Sequence, residues 1–218
     1  MILTFDTVSF LFADRMDKKA FRNAYMKNRR ALHPDELEAL SARIASKFFS
    51  LALDSVRYLH IYYPIPGKQE IDSLLISERI RKEKPHIQLV LPKSDLISCT
   101  LKHFCWNDHT QLAMNEWGIT EPLSGEEVSP ELLDLIVIPL LACDMEGNRL
   151  GYGKGFYDRF LATCRPEALK VGLSYFEPQE ATIPHEPHDI PLDVCVTPDR
   201  VWRFKHPTQR EPDNDLNE

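Results

Sequence analysis

From Asp17 onward the apolar positions fall at helical spacing. Phe21, Ala24, Tyr25 and Leu32 lie roughly three and four residues apart, and Lys18, Lys19, Arg22, Lys27, Arg29 and Arg30 occupy the other faces. Asp17 is placed to cap this helix. The pair His33-Pro34 breaks it, and Pro34 suits the first turn of a second helix. Leu37, Leu40, Ile44, Phe48 and Leu51 form that helix's apolar stripe. The pattern then changes. VRYLHIYYPI (56–65) reads as a strand, KQEIDSLLISERIRKEK (68–84) as a helix, HIQLVLPK (86–93) as a strand and TLKHFCW (100–106) as another. LLDLIVIPLLACD (132–144) is a long apolar run rich in Ile, Leu and Val, as expected of a strand buried on both faces. A glycine-rich stretch follows, then the helical FYDRFLATC (156–164) and two more strands, LKVGLSYF (169–176) and DVCVTPD (193–199). Strands alternating with helices at this spacing predict a single α/β domain, a three-layer α/β/α arrangement with a mainly parallel sheet.

No internal repeat or low-complexity linker divides the chain, and GEEVSPE (125–131) reads as a surface loop rather than a boundary. The predicted domain spans 16–205. Residues 206–218 are polar and acidic, the composition of a disordered tail. Residues 1–15 form a short N-terminal extension. It is apolar, but it lacks a basic leading region and Asp6 interrupts it, so it is not read as a signal peptide; Met16 is an alternative start.

Charge and cysteine content narrow the function. The 26 basic and 33 acidic residues leave a formal net charge of -7, which argues against a general nucleic-acid binder but not against a small anionic ligand held by a few local cations. No run approaches the ~20 apolar residues of a membrane helix. The five cysteines, Cys99, Cys105, Cys143, Cys164 and Cys195, are odd in number and include no Cys-x-x-Cys pair. That disfavours a disulfide framework or a structural zinc site and fits free thiols in a cytoplasmic protein.

The candidate chemistry sits in NRLGYGKGFYDRFL (148–161). Gly151, Gly153 and Gly155 alternate, Arg149 precedes them, Lys154 lies among them and Asp158 follows. A buried strand, a glycine-rich turn and a helix in that order favour an anion beyond the strand's carboxyl end. Glycines let a backbone approach phosphate oxygens. The stretch is neither of the two common phosphate loops, and alone its glycines are equally consistent with a tight strand-to-helix turn. Arg149 and Lys154 tip the balance, because neither suits a bare turn. Asp158 either favours the helix dipole or holds Mg²⁺ against phosphates.

DLIVIPLLACDMEGNRLGYGKGFYDRFL resembles the signature of the 5-formyltetrahydrofolate cyclo-ligase family, most specifically in its Arg-Leu-Gly-x-Gly-x-Gly-x-Tyr-Asp core. The resemblance extends from Met16 to about Asp199 through KKAFRNAYMKNRRAL, QEIDSLL, VLPK, NEWGITEP and HDIPLDVCVT. It implies an ATP- and Mg²⁺-dependent closure of 5-formyltetrahydrofolate, with or without a polyglutamate tail, to 5,10-methenyltetrahydrofolate. The formyl oxygen would attack the γ-phosphate, N10 would close on the activated carbon, and phosphate would leave. The resemblance assigns Arg149 and Lys154 as catalytic phosphate contacts, with Gly151, Gly153, Gly155 and Tyr157 around the nucleotide. It adds Lys18 and Arg22, whose i, i+4 spacing puts both on one helix face; without the resemblance that pair reads as a solvated face. Asp158 and Asp189 match metal ligands. His185 and His188 invite a zinc reading, but no third ligand has suitable spacing. Glu70 matches a pterin-binding glutamate, and otherwise reads as an acid at a helix start. Tyr63, Trp117 and Phe156 would line the folate side, or equally fill core.

Three positions depart from the family's usual residues: Leu140 for glycine, Cys143 for phenylalanine and Phe156 for tyrosine. Leu140 and Cys143 keep open a competing class, a folate- or nucleotide-binding protein that does not turn over. A sugar-phosphate isomerase or CoA-transferase relative is a third reading, by analogy of fold only.

Overall fold

The computed structural model describes residues 17–205; the expectations for 1–15 and 206–218 fall outside them. Helix α1 (Lys18–Arg30) begins as predicted, with the Asp17 side chain accepting from the Ala20 amide at 2.7 Å. Helix α2 (Pro34–Phe48) opens on Pro34, and Glu36 reaches back to the His33 amide. Then follow β1 (Tyr58–His60), α3 (Leu74–Glu83), β2 (Gln88–Asp95), β3 (Thr100–Cys105), β4 (Leu112–Met114) and β5 (Thr120–Pro122). After a short 3₁₀ turn at Pro130–Leu132 come β6 (Leu135–Pro139), β7 (Ala142–Cys143), β8 (Arg149–Leu150), α4 (Phe156–Leu161), β9 (Leu169–Leu173), β10 (Val194–Val196) and β11 (Val201–Arg203).

Seven strands make one sheet in the order β11-β10-β9-β6-β1-β2-β3. The five inner strands are mutually parallel, and β3 and β11 close the two edges antiparallel. Strand β6 shows why the apolar run of the sequence had to be central. Leu135 and Val137 pack with α1, α2 and α3 on one face, while Ile136 and Ile138 pack with Phe160 and Leu161 of α4 on the other. This is the expected α/β/α layering on a mainly parallel sheet, with an asymmetry: the second face is covered by one short helix and loops.

Several boundaries differ from the sequence reading. Strand β1 is three residues rather than ten, because Pro64 and Pro66 flank a loop that leaves the sheet soon after Ile61. Helix α3 begins at Leu74, so residues 68–73 are loop. The run 132–144 breaks after Pro139 into β6 and the separate β7-β8 hairpin. Strands β4, β5 and β11 carried too few alternating residues to be read. No helix among the described residues is long and apolar enough to cross a membrane.

Candidate active site

Strand β1 has β2 on one side and β6 on the other, so chain connections leave it in opposite directions. The crevice beyond the carboxyl ends of such strands is where open α/β sheets take ligands. Here a cavity of about 580 Å³ occupies that place, within the range that small-molecule sites usually span. The residues assigned to phosphate, metal and folate line it: Lys18 and Arg22 from α1, Tyr63 and Glu70 from the loop after β1, Trp117 from the β4-β5 turn, Arg149 and Gly151 through Asp158 from the glycine stretch, and Asp189. His185 and His188 do not.

Helix α1 achieves this by dividing its faces. Phe21, Tyr25 and Arg29 form a buried stripe, and Lys18, Arg22 and Met26, offset by one residue, line the cavity. The Arg22 Nε donates to the Gly151 carbonyl at 3.1 Å. Its guanidinium lies against Gly153, where a Cβ would come within 3.0 Å of Arg22 Cζ. Gly153 and Gly155 have φ of 89° and 70°, so the loop uses both the missing side chain and the left-handed conformation. Gly155 caps α4, which is only six residues long. The anion site expected from a helix dipole therefore has little dipole behind it, and the cations dominate the local field.

Those cations come partly neutralised. Arg149 is almost wholly buried, and its Nη2 donates to Asp158 Oδ1 at 2.5 Å while its buried Nη1 has no partner. Burial lowers the Arg149 pKa, and Asp158 opposes that effect. Lys18 pairs with Asp189, whose Oδ2 also accepts from the Glu186 amide at 2.7 Å. Burial pushes the Asp189 carboxyl up, but the Lys18 ammonium and the Glu186 amide outweigh it and leave it below its usual value. The Ile190 amide, next to Asp189, donates to Asp158 Oδ1 at 3.3 Å, so the two carboxylates share one wall. Lys154 is exposed, with Nζ 5.2 Å from the centre of the Trp117 ring. The Tyr157 hydroxyl is buried without a partner, and burial raises its pKa.

Glu70 lines the same cavity. It is not a helix-start acid, since α3 begins four residues later. Its Oε2 accepts from the Ile65 amide at 2.8 Å and its Oε1 from the Tyr152 hydroxyl at 2.6 Å. Burial raises its pKa, with those two hydrogen bonds opposing the rise. Tyr152 is a site residue that the sequence marks only weakly, as a large aromatic held between Gly151 and Gly153. Pro92, Ser94 and Pro139 also line the cavity, as residues at the carboxyl ends of β2 and β6 should. Leu140 and Cys143, the two departures nearest the loop, do not line it. Leu140 packs over Gly172, whose missing side chain makes room for it, and Cys143 is wholly buried among apolar neighbours.

Fold, topology and cavity define an α/β protein with a cationic, glycine-bounded site at the carboxyl edge of its sheet. The model of the 5-formyltetrahydrofolate cyclo-ligase family matches residues 14–198. A 5-formyltetrahydrofolate cyclo-ligase of Escherichia coli K12 is 29% identical over 182 residues, covering 81% of this chain and 97% of the relative. A probable 5-formyltetrahydrofolate cyclo-ligase of Schizosaccharomyces pombe is 37% identical over 160 residues, 66% of this chain and 76% of that one. Among solved structures, the 5,10-methenyltetrahydrofolate synthetase of Aquifex aeolicus aligns with a TM-score of 0.76 at 33% identity, over 93% of this chain and all of its own. The chain belongs to the 5-formyltetrahydrofolate cyclo-ligase family, and is an enzyme of one-carbon folate metabolism.

Proposed function

We propose that this chain converts 5-formyltetrahydrofolate and ATP to 5,10-methenyltetrahydrofolate, ADP and phosphate. The observation that carries the proposal is one cavity lined by four cations, Lys18, Arg22, Arg149 and Lys154, and by a hydrogen-bonded carboxylate, Glu70. Phosphoryl transfer asks mainly for positioning and for neutralisation of oxygen charge. Lys18, Arg22, Arg149 and Lys154 supply the positive charge, and Gly151, Gly153 and Gly155 let the backbone come close. The Arg149 Nη1 and the Tyr157 hydroxyl are buried without partners, and would become donors to a phosphate oxygen where nucleotide binding uncovers them. Glu70 accepts hydrogen bonds from pterin N–H groups, and Tyr63, Trp117 and Phe156 offer flat apolar surface to the ring.

With both substrates held, the formyl oxygen attacks the γ-phosphorus and ADP departs. N10 then adds to the activated carbon and gives up its proton, and loss of phosphate leaves the methenyl bridge. Asp158 and Asp189 suit Mg²⁺ that arrives with the nucleotide: two carboxylates on one wall are a sufficient protein share when phosphate oxygens and water complete the shell. No group of three or more acidic, histidine or cysteine side chains gathers as a metal site among the described residues. Bound with the triphosphate, Mg²⁺ would supply charge neutralisation; the protein's part is to release Asp158 and Asp189 from their cationic partners.

The test mixes the protein with 5-formyltetrahydrofolate, ATP and Mg²⁺ and follows the near-ultraviolet absorbance of the methenyl product. An ATP-dependent rise is expected. Binding of both substrates without any rise would return the non-catalytic reading.

A further inference from the structure

Glu70 and Arg29 carry opposite charges on neighbouring elements but form no direct ion pair. The Tyr152 hydroxyl stands between them. It donates to Glu70 Oε1 at 2.6 Å and accepts from Arg29 Nη1 at 3.0 Å. Arg29 is itself fixed: it is 3% exposed, and its Nη2 donates to the Leu140 carbonyl. A direct bidentate pair with Arg29 would occupy both Glu70 oxygens. The tyrosine occupies one lone pair of Oε1, and the Ile65 amide takes one of Oε2. Each oxygen keeps acceptor capacity, on a residue that lines the cavity. Arg29 in turn polarises the tyrosine O–H, strengthening its donation to the carboxylate.

We propose that Tyr152 is a positioning residue for folate binding: its hydroxyl relays Arg29 to Glu70 and holds the carboxylate oriented toward the pterin. This rests on the reading of Glu70 as the pterin acceptor. Burial already pushes the Glu70 carboxyl up; the Tyr152 and Ile65 hydrogen bonds and the charges of Arg29 and Lys68 oppose the rise, and the Tyr62, Tyr157 and Tyr175 hydroxyls also face it. Losing the Tyr152 donor would push it further, toward a protonated form that accepts fewer hydrogen bonds.

The experiment measures KM for 5-formyltetrahydrofolate and for ATP, and the pH profile of kcat/KM for the folate, in Tyr152→Phe, Arg29→Lys and Glu70→Gln. Tyr152→Phe is expected to raise the folate KM on the order of tenfold, the worth of one hydrogen bond to a charged group. The ATP KM should move far less, and the acidic limb of the profile should shift to higher pH. Glu70→Gln should weaken folate binding and abolish that limb. A Tyr152→Phe enzyme with wild-type folate KM and limb, beside a Glu70→Gln enzyme that has lost folate affinity, overturns the relay and leaves Glu70 as the pterin acceptor. A Glu70→Gln enzyme with wild-type folate KM overturns that underlying reading instead. Equal loss of folate and ATP affinity in Tyr152→Phe, with no movement of the limb, marks a structural role and also overturns the relay. Arg29→Lys withdraws the outer donor while keeping the tyrosine. It should move the limb in the same direction by less, and an unmoved limb counts against the relay even if Tyr152→Phe does not fold.

Discussion

His60 of β1 and His103 of β3 meet on the sheet face that α4 covers. They are 0% and 2% exposed, and their ring centres lie 5.2 Å apart. Phe160 packs against both, at 4.9 and 4.1 Å, and Tyr157 lies 5.9 Å from His60. No ring nitrogen of either histidine has a hydrogen bond of normal geometry. Burial therefore drives both pKa values down, to about 4 for His103 and well below the usual value for His60, where His103 adds to the effect. The sign follows from linkage. A base whose pKa is depressed on folding takes up its proton first in the unfolded chain, so its stabilisation is complete above the unfolded pKa and is lost as pH falls toward the folded value. With an unfolded value near 6.5, one such ring costs about 2 kcal/mol of stability between pH 7 and pH 5, and the pair about 4 kcal/mol. That is a large share of a domain's usual ~5–15 kcal/mol. Urea unfolding followed by tryptophan fluorescence at pH 7, 6 and 5 measures it. The wild-type protein should lose about 4 kcal/mol over that range and His103→Phe about half as much. A His103→Phe protein with the full wild-type loss, or a wild-type protein whose stability is flat above pH 5, would refute the reasoning.

Three further outcomes follow from the site and the core. Lys154→Ala should lower turnover by about two to three orders of magnitude, as loss of a transition-state charge contact does, with little change in melting temperature because Lys154 is exposed; normal turnover would remove Lys154 from the phosphate role. Asp158→Asn leaves Arg149 buried without its counter-charge and should destabilise the protein by about 2–4 kcal/mol in denaturant unfolding, a little below a fully buried pair because Asp158 keeps some solvent contact. The same variant should need more Mg²⁺ for half-maximal rate, and an unchanged requirement would argue against ligation. Gly172→Ala brings a Cβ to 2.5 Å from Leu140 Cδ2 and 2.6 Å from Leu192 Cδ1, and should cost about 1–3 kcal/mol in the same assay. Combined with Leu140→Ala, it should destabilise by less than the sum of the two changes.

The fold was legible where one residue pattern had one physical solution. An apolar run rich in Ile, Leu and Val had to be buried on both faces, and β6 is. Asp17 and Pro34 marked helix starts because each meets a backbone need peculiar to a first turn. Reading failed where backbone pairing rather than side-chain pattern made the structure. Strands β4 and β5 are three residues each, and their turn is organised by the Asn115 side chain accepting from the amides of Trp117 and Ile119, not by any hydrophobic alternation.

The site divides in the same way. Arg149, Lys154 and Asp158 are legible because their chemistry is contiguous, whereas Lys18, Glu70 and Asp189 are singled out by family resemblance alone. Neither route could reveal pairing. Lys18 with Asp189 and Arg149 with Asp158 are ion pairs between positions 171 and 9 residues apart, and only the folded chain joins the first of them. Pairing matters because it sets the charge of the wall. Four cations against two carboxylates leave two positive charges, a complement to a triphosphate that carries a divalent cation rather than to a bare one. The carboxylates that neutralise Lys18 and Arg149 are, on the proposed reading, the oxygens that would hold the metal. On that reading, nucleotide entry would exchange partners instead of stripping them: Lys18 and Arg149 would pass from carboxylate to phosphate oxygen, and Asp158 and Asp189 would become free to hold the metal. Such an exchange avoids leaving any of these buried charges uncompensated, which is the condition under which a partly desolvated ionic site remains stable through a catalytic cycle.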